Sequence, residues 1–180
     1  MKTYVALLRG INVLGKGVLP MRELVAILES LGCRSVTTYI QSGNAVFQHQ
    51  ASKASALADK ITARIAKSRG FAPRVLVLDE KALAKVVKEN PFPEAVAEPK
   101  SLHAFFLDAK PAKARLTSLA SLQSKTERFE LQGRVLYLHA PDEIGRSKLA
   151  ANVERRLGVT ATSRNWRTVC RVLEMAMRYV

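Results

Sequence analysis

Cysteine is nearly absent from this 180-residue chain: Cys33 and Cys170 stand far apart with no C-x-x-C spacing. That excludes a disulfide framework and a thiolate zinc site, and it makes a reducing cytoplasm the expected compartment. Histidine is scarce too. His49, His103 and His139 show no metal-ligand spacing, so neither a metal nor another cofactor is expected. Aromatic residues make up 6% of the chain, and no aromatic run of the RNA-recognition type occurs. No stretch of 18 apolar residues exists, so no membrane span is expected. The apolar N-terminus is broken by Arg9 and lacks a small-residue cleavage site, and it therefore reads as a buried strand rather than a signal peptide.

Acidic residues are the other shortage, with 15 Asp and Glu against 29 Lys and Arg, a net charge of +14. Residues 1–100 and 101–180 each carry +7, so the excess is not a tail. Such a charge suits a polyanionic partner, or it is simply solvated. With 48% hydrophobic residues, the chain fills one large core or two small ones.

Periodicity gives an element order that occurs twice. Residues 3–8 are a continuous apolar strand. Leu19-Pro20 opens a helix with Pro20 near its first position, striped by Leu24, Ile27, Leu28 and Leu31 and closed by Gly32. The β-prone runs 35–40 and 45–48 flank the turn Ser42-Gly43-Asn44 as a hairpin. A helix over 52–69 follows, with Lys53, Lys60, Arg64 and Lys67 away from its apolar side, then a strand over 74–78 and a short helix over 80–88. The segment 91–100 is Pro-rich and reads as a linker between a first unit, 1–90, and a second, 101–180.

The second unit repeats the pattern: strand 102–107, helix 111–122, hairpin strands 127–131 and 134–139, helix 146–157, extended residues 159–162 and a final helix 164–179. The expected fold class is therefore α+β: two tandem ferredoxin-like βαββαβ units, each an antiparallel sheet covered by helices. A right-handed crossover puts the end of the first strand beside the first hairpin. Arg9-Gly10-Ile11-Asn12 and Gln41-Ser42-Gly43-Asn44 should then be neighbours.

Three motifs invite a chemical reading. Gly10 to Lys16 has the G-x4-G-K spacing of a P-loop, but Gly17 stands where a Mg2+-binding hydroxyl is needed and the helix opens several residues later. A looser version remains, in which loop amides and Lys16 cradle a phosphate. Thr162 or Ser163 offers an N-cap to the final helix, which would carry Arg164, Arg167, Arg171 and Arg178 in one arc with Trp166, Val169, Leu173 and Ala176 opposite. Gly145-Arg146-Ser147-Lys148 opens a helix with cations and a hydroxyl; Asp142 or Ser147 would cap it. No paired carboxylates, metal cluster or nucleophile–histidine pair stands out, so no catalysis is assigned.

The segments 7–13 (LLRGINV), 19–24 (LPMREL), 38–47 (TYIQSGNAVF), 90–92 (NPF), 133–149 (GRVLYLHAPDEIGRSKL) and 161–169 (ATSRNWRTV) resemble, in order, a widespread bacterial family, the domain of unknown function 1697. The resemblance implies a tandem ferredoxin-like arrangement and no assigned activity. The chain departs from the family pattern in a few places. Leu14-Gly15-Lys16-Gly17 replaces a Gly-Gly-Lys-Asn loop, Glu143 a common Gly, Arg167 a common Asn and Arg171 a frequent Lys.

The residues expected to bind ligand are Arg9, Asn12, Lys16, Gln41, Ser42, Asn44, Ser147, Lys148, Arg164, Asn165 and Arg167. The first functional expectation is an anion- or nucleic-acid-binding protein. The alternative is an enzyme or small-molecule binder acting on a phosphorylated or nucleotide-like ligand, with Arg9 pairing its anion. Arg9, Asn12, Gln41, Ser42 and Asn44 would otherwise satisfy one another and merely lock the hairpin.

Overall fold

The computed structural model describes residues 1–50 and 53–179. It divides into two compact units, Met1–Lys85 together with the chain from Arg171, and Val86–Cys170.

In the first unit β1 (Lys2–Arg9), β2 (Arg34–Tyr39), β3 (Asn44–His49) and β4 (Arg74–Asp79) form an antiparallel sheet in the order β2-β3-β1-β4, the ferredoxin-like order. β1 is buried throughout except at its charged ends, Lys2 and Arg9. α1 (Met21–Ser30) and α2 (Ala54–Arg69) cover one face. Tyr4, Ala6 and Leu8 of β1 meet Leu24, Ile27 and Leu28 of α1 and Leu57, Ile61 and Ile65 of α2 in one core. Pro20 lies just outside α1, with φ −59° and ψ 140°, rather than in its first turn.

Past α1, Gly32 takes φ +86° and donates to Glu29 O at 2.9 Å while Cys33 donates to Leu28 O at 3.1 Å. This paired closure needs a residue at ease in the left-handed region, and glycine supplies it. The expected start of α2 at Ser52 lies outside the described residues. α3 (Glu80–Lys88) follows β4, and the division between the units falls within it.

The second unit opens with a 3-10 turn, Pro93–Ala97. β5 (Leu102–Leu107), β6 (Arg128–Gln132), β7 (Val135–His139) and β8 (Ala161–Asn165) make a second antiparallel sheet in the order β6-β7-β5-β8. α4 (Lys113–Ala120) and α5 (Lys148–Leu157) cover it, with Leu119, Leu149, Val153 and Leu157 packed on Phe105, Leu107, Leu136 and Leu138. The chain is thus α+β, built as two tandem units with the same strand order.

α4 and α5 each begin two residues later than expected, at Lys113 and Lys148, and the C-terminal segment departs further. The final helix, α6 (Trp166–Met177), begins two residues late, because residues up to Asn165 are claimed by β8. Arg164 pairs with Ala104 across β5 and β8, so it belongs to a sheet and not to the arginine arc of the helix. The cap is Asn165, whose Oδ1 accepts from the Thr168 amide at 2.9 Å, and not Thr162 or Ser163. Nonlocal pairing with β5 outweighs the local cap preference there. Trp166, Val169, Leu173 and Ala176 are buried as the apolar stripe requires. α6 also crosses the division between units, and Tyr179 beyond it accepts from Gln48 Nε2 at 3.4 Å in the first unit.

Candidate functional site

The first unit brings its two polar clusters together. Leu7 pairs with Asn44 across β1 and β3, and the Leu8 amide donates to Gly43 O at 2.7 Å. Gly43 has no room for a side chain: a Cβ there would stand 2.7 Å from both Leu8 Cβ and Ile11 Cδ1. Asn12, at φ +51°, donates through Nδ2 to Gln41 O and Leu19 O, each at 2.9 Å, and accepts from the Leu19 amide at 2.8 Å. Asn44 is fully buried and donates to Tyr39 O at 2.9 Å and Ser42 Oγ at 3.0 Å. These two amides are spent on the backbone and the turn, and they hold the end of β1 against the β2–β3 hairpin. Arg9, Lys16, Gln41 and Ser42 remain exposed around them.

The connection after β1 is itself a miniature hairpin. Asn12 donates to Gly17 O at 3.0 Å, Val13 to Lys16 O at 3.2 Å and Lys16 to Val13 O at 2.9 Å. Leu14 (φ +47°) and Gly15 (φ +76°) form its two-residue turn, both left-handed, as in a type I′ turn. Three loop amides are therefore closed onto the loop's own carbonyls rather than open as a phosphate cradle. α1 starts at Met21 and the sheet is antiparallel, so the P-loop arrangement is absent here. Leu14 occupies a position that normally belongs to Asn, Asp or Gly, and it is 96% exposed. A left-handed conformation costs such a residue about 1–2 kcal/mol, and here no burial offsets it. Val13, Val18 and Ile40 are also exposed, and Ile40 shares the left-handed backbone at φ +50°.

Cations surround this end. Arg9 stands directly opposite Arg74 in the β1–β4 pair. Arg69, the last residue of α2, donates from Nη2 to Val18 O at 2.9 Å and pairs with Glu23 at 3.1 Å. Lys60, Arg64 and Lys67 lie exposed on α2 leading towards Arg69. Arg69 and Arg74 were not among the expected binding residues. Their sequence signal was basic residues on both sides of Gly70, which closes α2 at φ +76° and delivers the chain to this edge.

The remaining expected residues lie in the second unit. Ser147 caps α5, its Oγ accepting from the Ala150 amide at 2.9 Å. It lines a cavity of about 530 Å3 with Lys148, Arg146, Glu127, Asp142 and Glu143. That cavity mixes signs: Arg146 pairs with Glu143 at 3.5 Å, and buried Glu127 accepts from the Ser124 amide at 2.9 Å. Arg164, Asn165 and Arg167 sit at the β8–α6 junction. Arg164 is half-buried, which pushes its pKa down to about 10, still charged at neutral pH. Arg167 is exposed, and Arg171 is engaged by Glu174 at 2.9 Å.

A polar cluster absent from the expected set gathers around β7. Arg128 pairs with Glu94, lies 5.0 Å over the Phe92 ring, and approaches His139 Nδ1 at 3.2 Å. Burial lowers the His139 pKa, with Arg128 adding to the shift and Glu94 opposing it. His103 in β5 is pushed down to about 4 by burial, against a hydrogen bond with the Ser101 backbone, and its Nδ1 meets no partner. Among the described residues, no group of three or more His, Cys, Asp or Glu side chains is placed to hold a metal ion, and no helix is long and apolar enough to cross a membrane.

A family profile described as protein of unknown function (DUF1697) matches residues 1–137, which takes in the whole first unit's sheet and its polar end. The chain belongs to the DUF1697 family. A solved structure, that of the conserved bacterial protein SP0830 from Streptococcus pneumoniae, is similar at 23% identity, with a TM-score of 0.75 over 97% of this chain and 98% of that one. This second likeness speaks for the fold alone. No curated protein matches the chain. DUF1697 membership carries no reaction with it, so function rests on the chemistry of the site.

Proposed function

We propose that this DUF1697 protein binds a polyanion, with nucleic acid as the foremost class, through the basic end of its first unit. The observation that carries the proposal is charge segregation. Residues 1–78 hold eleven Lys and Arg against three Asp and Glu (Glu23, Glu29 and Asp59), and no acidic residue interrupts 60–78. Arg9, Lys16, Arg69 and Arg74 collect at one end of the sheet, and Lys60, Arg64 and Lys67 extend the track along α2 over roughly 10 Å. Tyr4 and Phe47 are stacked inside the core, with centroids 6.2 Å apart, so these rings are spent on packing rather than offered to bases. Recognition would rest on phosphates and be largely independent of sequence.

Fluorescence anisotropy of labelled DNA and RNA at several salt concentrations tests this. Affinity should fall linearly on a log–log salt plot, and replacing Arg64 and Lys67 together by Ala should flatten the slope by about 1.8, two phosphate contacts at 0.9 each. Binding indifferent to salt, or no binding at low salt, would overturn it. Exposed Gln41 and Ser42 beside Arg9 favour a second reading, a phosphorylated or nucleotide-like small ligand at the same end. A thermal shift with nucleotides, abolished by Arg9→Ala in a folded variant, would select it.

A further inference from the structure

We propose that Leu14 is an intercalating wedge and that the polyanion is double-stranded DNA entered from the minor groove. This rests on the polyanion reading above and names its partner. Four of the seven large apolar side chains found exposed among the described residues, Val13, Leu14, Val18 and Ile40, belong to this one end of the first unit. They share this end with Arg9, Lys16, Arg69 and Arg74, on an exposed two-residue turn and the segments beside it. A convex aliphatic tip flanked by Lys16 and Arg9 is the form of side chain that minor-groove proteins push between base steps while basic groups hold the flanking phosphates.

Charge decides among occupants. A second copy of this chain would bring the same basic surface against itself and be repelled. Duplex DNA offers the opposite sign along both edges of a groove that unstacks to admit one apolar side chain. A-form RNA presents a wide, shallow minor groove and gives such a tip little to enter. The Asn12 bonds to Gln41 and Leu19 fix the base of the hairpin, so the tip is delivered on a braced stem.

The test uses the full chain and a duplex of about 20 base pairs containing a central TA step, labelled at both ends for energy transfer and read in parallel by anisotropy. Wild-type protein should bind the duplex and shorten its end-to-end distance, as kinks of 20–90° do. Leu14→Ser and Leu14→Asn should bind about tenfold more weakly, with the salt slope of wild type and no bending. Circular dichroism checks that both variants are folded. Bending that survives in both variants, or tight wild-type binding to an unbent duplex, would overturn the wedge while leaving the polyanion reading standing. No binding at low salt would remove both. Leu14-dependent binding to phosphatidylglycerol vesicles, with duplex length unchanged, would identify the tip as a lipid contact and overturn the proposal.

Discussion

Asn12 reaches across 29 positions of sequence to donate to the backbone oxygen of Gln41 at 2.9 Å, and the same side chain exchanges two hydrogen bonds with Leu19. One amide therefore ties together the end of β1, the entry to α1 and the β2–β3 turn. It also explains why an Asn is used at φ +51°, a region it tolerates better than most residues.

Asn12→Ala should destabilise the protein by about 2–3 kcal/mol, because it leaves the amide of fully buried Leu19 without its acceptor. Asn12→Asp keeps that acceptor but turns a carboxylate oxygen towards Gln41 O and Leu19 O, and it should lose at least as much. Urea unfolding measures both. A loss below about 0.5 kcal/mol for the Ala variant would show that the brace does not matter.

Leu14→Asn should raise stability by roughly 0.5–1 kcal/mol, since Asn fits the first central position of a type I′ turn and nothing is lost by removing a fully exposed Leu. Chemical denaturation checks it. A destabilised Leu14→Asn would mean that Leu14 is packed in solution.

Stability should fall on acidification from about pH 6.5 towards pH 4, in part through His103. Burial pushes its folded pKa down to about 4, below the ordinary 6.5. The unfolded chain therefore binds the proton first, and stability present above pH 6.5 is lost as pH falls through that window. The size is on the order of 3 kcal/mol for this group. His103→Leu removes both the titration and the unpartnered Nδ1. Its stability should vary less between pH 6.5 and 4, as read from melting temperature against pH. Parallel curves for variant and wild type would refute the assignment.

Arg128→Ala should move the His139 pKa upward, towards its ordinary value, because the guanidinium beside it adds to the lowering caused by burial. The shift is observable as an NMR titration of the imidazole. Stability should change little, since the Glu94 pair is open to solvent and the contact with Phe92 is a single cation–π interaction. An unmoved His139 titration would show that burial alone sets it.

Much of this was legible in the chain. The turn Ser42-Gly43-Asn44 between β-prone runs, with right-handed crossovers, was enough to bring Arg9–Asn12 beside Gln41–Asn44, because turn chemistry and crossover handedness are local or nearly universal. What the sequence hid was nonlocal. Arg164 looks like a helix residue until β5 supplies a partner for β8, and only the end of that strand makes Asn165 the cap. Arg69 and Arg74 join the site because α2 ends at that edge, a matter of helix length set by where Gly70 falls. The exposure of Leu14 was hidden for another reason, since its backbone geometry follows from a miniature hairpin with no alternating pattern to announce it.

The placement of Arg171 onwards in the first unit has a consequence for biosynthesis. The sheet of that unit is complete by Asp79, yet the unit's last segment begins about ninety residues later. At roughly 5–20 residues per second, a nascent chain would hold the first sheet for about 5–20 s before its closing segment leaves the ribosome. The core of that unit, from Tyr4 to Val77, is available to pack throughout this interval, and a ribosome stalled after Cys170 would present it with Gln48 lacking the Tyr179 backbone oxygen as a partner.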